Sequence, residues 1–81
     1  MLENIRIENA IENNIFVYAD VKNDDKIKSI IVKFKYNKVA TVSVKTHKDR
    51  INSYTWNGGS NHKMPLKYRK YVEYILKNVE F

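Results

Sequence analysis

From residue 15 to residue 56 apolar and polar positions tend to alternate with a period of two. After Pro65 the spacing changes to about 3.6. The clearest run is KIKSIIVKFKY, residues 26–36. In it Ile30, Val32, Phe34 and Tyr36 alternate with Ile31, Lys33 and Lys35, which puts the two sets on opposite faces of a strand. IFVYADV (15–21) is β-branched and aromatic and reads as a strand. ATVSVKT (40–46) and INSYTW (51–56) give two more, and Gly58 and Gly59 end the last. Residues 2–12 fit either a strand through Ile5 and Ile7 or a helix using Leu2, Ile5, Ala10 and Ile11, with the strand favoured. Asn13-Asn14 then reads as a turn, because Asn tolerates left-handed backbone. NDDK (23–26), NKV (37–39) and HKDR (47–50) supply the other turns.

Pro65 suits a first helical turn, where its missing N–H costs nothing. Tyr68, Val72, Ile75, Leu76 and Val79 then share one helix face, with Lys67, Arg69, Lys70, Glu73 and Lys77 mostly on the other. The expected fold is α+β: an antiparallel meander of four or five strands with one C-terminal helix packed on one face. The expected core is Val32, Phe34, Val42, Val44, Val72, Ile75 and Leu76. Residues 1–81 are read as a single small domain.

Register decides which side chains share a face. Between 26–36 and 40–46, an odd-length loop opposes Tyr36 to Ala40, Phe34 to Val42 and Val32 to Val44. That gives one apolar face and turns Lys33, Lys35, Thr41, Ser43 and Lys45 away from it. For the next hairpin, a Lys48-Asp49 turn or a four-residue HKDR loop places Tyr54 and Trp56 on the lysine face. An odd loop sends both rings into the core instead.

Composition narrows the chemistry. The chain has 81 residues, 15 Lys and Arg against 9 Asp and Glu, and a net charge of +6. Such a charge attracts nucleic acid, nucleotides or an acidic protein face. There is no cysteine, which removes disulfides, thiolate metal sites and a Cys nucleophile. The start, MLENIRIENAIENN, lacks the apolar run of a signal peptide, and no segment approaches the ~20 apolar residues of a membrane span. A cytoplasmic protein with no membrane contact is expected. Asn, Lys, Ile and Tyr are abundant and have AT-rich codons, which points to an AT-rich source: a bacterium, an archaeon, a phage or another mobile element.

Four groups of residues could carry function. Lys33, Lys35 and Lys45, with Tyr54 and Trp56 interleaved, would bind nucleic acid: lysines neutralise phosphates and exposed rings stack on bases. The loop WNGGSNHK could present backbone N–H groups to an anion, yet it matches neither G-x-x-x-x-G-K-[ST] nor G-x-G-x-x-G. His47 and His62 sit in basic turns where a small nuclease could use one as a general base, but no HExxH or Ser-x-Gly elbow accompanies them. Asn61, His62, Lys67, Lys70, Tyr71 and Tyr74 have the composition of a protein-contact surface.

The first expectation is therefore a non-enzymatic module for an anionic partner, nucleic acid or a nucleotide, with no cofactor, metal or catalytic residue. A phage-type inhibitor or adaptor of a host protein is the second, and a His-dependent nuclease the third. A small core, which at this size buries only roughly 60% of the unfolded surface, with Tyr on the last helix, also suggests a homodimer.

Overall fold

Five strands and one helix follow the chain in the expected order in a computed structural model, which describes residues 1–56 and 64–79. They are β1 (Leu2–Ile11), β2 (Asn14–Val21), β3 (Ile27–Lys35), β4 (Lys38–Thr46), β5 (Ile51–Thr55) and α1 (Leu66–Asn78). The sheet order is β1-β2-β3-β4-β5, all antiparallel. The ambiguous first segment is a strand. The candidate loop 57–63, with Asn61 and His62, lies outside the described residues.

Cross-strand rows build the core face. Ala19, Ile30 and Val44 lie in one row, with Val17, Val32 and Val42 in the next. All six are fully buried, as is Phe34. Burying a large aliphatic side chain contributes about 1.5–3 kcal/mol relative to leaving it exposed. The helix lays Tyr68, Val72 and Ile75 on these rows, and Met64 closes the cluster beside it. Pro65 is the N-cap residue rather than the first helical one.

Leu76 is not in the core: it is 45% exposed. Tyr68, Val72, Ile75 and Val79 are spaced by four, three and four and form a narrow stripe. Leu76 follows Ile75 by one residue, about 100° further round the helix. One helix on a sheet buries only that stripe.

The β3–β4 hairpin departs from the expected register, and the β4–β5 hairpin takes the odd-loop alternative. β3 and β4 join through a two-residue turn, Tyr36-Asn37, with φ of 52° and 63°. Positive φ at both central residues matches the twist of the flanking strands, as in a type I′ turn. Lys35 faces Lys38 and Phe34 faces Val39. A bulge then shifts the ladder, so that Lys33 faces Thr41 and Val32 faces Val42. The extra residue restores the parity that an even turn would have broken. Core and lysine faces are thus as expected, but the pairs are displaced and Tyr36 is in the turn, 66% exposed.

β4 and β5 pair Lys45 with Ile51 and Val42 with Tyr54. Thr46 N–H donates to the Arg50 carbonyl at 2.8 Å, leaving His47, Lys48 and Asp49 as the loop. Asp49 N–H donates to the Thr46 carbonyl at 3.0 Å, and Asp49 has φ 62°. This is a tight turn followed by one left-handed residue, a common three-residue hairpin connection. The loop is odd, so Tyr54 points to the core side.

Candidate nucleic-acid interface

The helix covers one sheet face and leaves the other open. On the open face β2 contributes Phe16, Tyr18 and Asp20, and β3 contributes Ser29, Ile31, Lys33 and Lys35. The pairs across them are Phe16 with Lys33, Tyr18 with Ile31 and Asp20 with Ser29. β4 continues the rows with Thr41, Ser43 and Lys45. Lys33, Lys35 and Lys45 therefore share this face, as the alternation requires.

Their aromatic companions are not Tyr54 and Trp56. Both of those rings are half-buried and packed against the core. The Tyr54 ring lies 6.2 Å from the Tyr68 ring, at 53°. Trp56 N–H donates to the Ala40 carbonyl at 3.0 Å, continuing the β5 edge. The rings on the lysine side are Phe16 and Tyr18. Lys33 Nζ sits over the Phe16 ring at 6.0 Å and Arg6 over the Tyr18 ring at 5.7 Å. The β2 alternation carries this signal, since Phe16 and Tyr18 alternate with buried Val17 and Ala19. It becomes legible once β2 is paired with β3.

Charge is uneven along the face. Arg6 is engaged by Glu8 at 3.4 Å and Asp20 at 3.6 Å. Lys28 pairs with Asp49, which also stands 3.9 Å from Lys45. The Lys28 ammonium holds the Asp49 carboxyl below its usual range, by hydrogen bond and by charge, with Lys45 adding less. Among the described residues Lys33 and Lys35 have no carboxylate partner. Asn14, in the same β2 row and opposite Lys35, keeps its Oδ1 buried with no partner among the described residues. Beside Tyr18 a hollow of about 460 Å³ is lined by Tyr18 and Ile31, with Arg6, Glu8 and Asp20 from β1 and β2 and Lys28 and Lys45 from β3 and β4.

Asp24 organises the opposite side of the molecule. Its side chain is 1% exposed. Oδ1 accepts from the N–H groups of Lys26 at 2.9 Å and Ile27 at 3.1 Å. Oδ2 accepts from the Tyr71 hydroxyl at 2.9 Å and from Lys67 Nζ at 2.8 Å. Burial alone would raise this carboxyl; the Lys67 ammonium, the two backbone donors and Tyr71 outweigh it and hold it well below the usual range. The same contact raises Lys67. Burial, then the hydrogen bond to Asp24, raises the Tyr71 phenol. Lys67 and Tyr71 are thus bound within the fold. Of the expected protein-contact residues among the described ones, Lys67, Lys70 and Tyr74 are exposed and Tyr71 is half-buried.

His47 Nε2 lies 2.7 Å from the Asp24 carbonyl, so that nitrogen carries the proton and donates it. The ring also borders a hollow of about 450 Å³ rimmed by Lys26, Lys48 and Arg50 beside Tyr68. No group of three or more His, Asp or Glu among the described residues is placed to hold a metal ion. No helix among them is long and apolar enough to cross a membrane.

The fold and this face define a two-layer α+β domain: a five-stranded meander covered on one side, with an open basic and aromatic surface on the other. No protein-family model, curated protein or solved structure matches the chain.

Proposed function

We propose that this protein is a non-enzymatic module that binds nucleic acid through the open face of its sheet. The observation that carries the reading is the placement of Lys33 and Lys35, without carboxylate partners among the described residues, beside Phe16. Lysines of that kind are available to phosphates, and neutralising a phosphate releases condensed counterions. The net charge of +6 adds a long-range attraction of the same sign.

The protein-contact reading, an inhibitor or adaptor of phage or mobile-element type, has less support. Lys67 and Tyr71, two of its anchors, already serve Asp24. The nuclease reading is weakened by the use of His47 Nε2 to hold a turn.

Binding to labelled oligonucleotides across a salt series tests the proposal. The logarithm of affinity should fall linearly with the logarithm of salt. Replacing Lys33 and Lys35 together by Ala should flatten that slope by about 1.4–1.8 units, at about 0.7–0.9 per phosphate contact. Absence of salt-dependent binding to any nucleic acid overturns the reading.

A further inference from the structure

We infer that the ligand of the open face is a single strand, with unpaired bases laid on Phe16 and Tyr18. This rests on the nucleic-acid reading above and adds to it the form of the strand. Phe16 and Tyr18 stand at alternate positions of β2, so both lie on the open side. Alternate residues of a strand are about 7 Å apart. Two neighbouring bases of an extended strand can each meet one ring at that spacing.

A cation marks one face of each ring. A cation lies over each ring, Lys33 over Phe16 and Arg6 over Tyr18. Each cation comes from the residue directly opposite on a neighbouring strand, so one face of each ring is turned along the sheet toward that neighbour, where a base can stand against it. Both residues are half-buried, so the sheet supports the ring bodies while part of each ring stays accessible.

The two positions then behave differently. A cation over an exposed ring is worth a factor of about two to five in an equilibrium constant. A stacked base is worth about 5- to 150-fold. At Phe16 the base displaces the Lys33 ammonium, which has no carboxylate holding it among the described residues and can turn to the adjoining phosphate. At Tyr18 the guanidinium stays. Arg6 is held by Glu8, by Asp20 and by the Asn4 carbonyl at 2.9 Å. The second base enters the hollow of about 460 Å³ lined by Tyr18 and Ile31, against the ring face that Arg6 does not cover. A duplex gains nothing from these rings, because its base faces are already stacked on one another.

Anisotropy titrations at one salt concentration, with single-stranded DNA, single-stranded RNA and duplex of equal length, provide the test. The wild type should bind one or both single strands at least fivefold more tightly than duplex. Phe16→Leu and Tyr18→Leu should each weaken single-strand binding at least fivefold, leaving the salt slope and duplex affinity unchanged. Melting curves identify any variant that fails to fold; Phe16→Tyr, which keeps a ring, should then retain wild-type binding. Equal wild-type affinity for duplex and single strands overturns the inference, as does wild-type binding by folded Leu variants. In either case a slope flattened by loss of Lys33 and Lys35 still upholds the module reading. No binding to any nucleic acid removes both.

Discussion

The Tyr71 hydroxyl donates to Asp24 Oδ2 at 2.9 Å across 47 residues of sequence. The bond ties α1 to the turn between β2 and β3. Through the other Asp24 atoms it is coupled to the start of β3 and to His47 in the last hairpin loop. One buried carboxylate therefore sets the position of the helix against two turns. The first helical turn contains no acidic residue, and Asp24 provides a negative charge close to it from another element.

Tyr71→Phe removes that donor alone. It should cost about 1.5–3 kcal/mol, since the acceptor is ionised. Asp24→Ala should cost more, because the Ile27 N–H is left buried without an acceptor. Urea unfolding of both single variants and the double variant checks this. A Tyr71→Phe loss below about 0.5 kcal/mol, the range of an ordinary surface change, would show that the bond contributes nothing.

The helix face makes a sharper comparison. Ile75 is fully buried and Leu76 is 45% exposed, although the two are adjacent and similar in volume. Ile75→Ala should cost about 2–5 kcal/mol. Leu76→Ala should fall within about 0.5 kcal/mol of wild type, as surface changes do. Equal losses would place the helix in a different rotation on the sheet.

The core rows of β3 and β4 were legible from alternation alone, because a period of two admits only two faces. What the pattern could not supply was loop length. Asp49 takes a left-handed backbone without being glycine, which makes the last hairpin loop three residues long rather than two or four. That single residue moves Tyr54 and Trp56 from the lysine face to the core side. The bulge near Ala40 hid in the same way, since bulges leave little compositional trace. Phe16 and Tyr18 were visible as strand residues, but their place beside the lysines depended on pairing β2 with β3. Asp24 looked like one acid in a polar turn, and its partner Tyr71 lay far along the chain.

Tyr36 and Asn37 carry a conformational cost that can be removed. Both have positive φ, and Tyr36 is 66% exposed with no place in the core. A left-handed residue other than glycine costs about 1–2 kcal/mol, less for Asn. Changing Tyr36→Asn and Asn37→Gly together gives the pair that type I′ turns favour. The double variant should be more stable by about 1 kcal/mol, read as a higher urea midpoint at unchanged slope. A lower midpoint would show that the Tyr36 ring makes a contact worth more than the backbone relief.

The dependence of stability on pH follows from the groups around Asp24. Its carboxyl is held below the ordinary 3.8 in the folded protein. A depressed folded value means that the unfolded chain binds the proton more readily, so acid favours unfolding. The contribution is complete above about pH 4–5 and is lost as pH falls toward the folded value. Asp49 is also depressed, but its side chain is 66% exposed and such pairs contribute little. Asp24 should therefore dominate the acid limb. At the other end Tyr71 is raised above 10.0 and Lys67 above 10.5. A raised folded value stabilises below the unfolded one and is lost as pH rises through it. Stability should thus hold level from about pH 5 to about pH 9 and decline on both sides. In Asp24→Asn the acid decline should become shallower, at a lower plateau. Urea midpoints measured from pH 2 to pH 11 separate the cases. An acid limb as steep in Asp24→Asn as in the wild type would assign it to a different carboxylate.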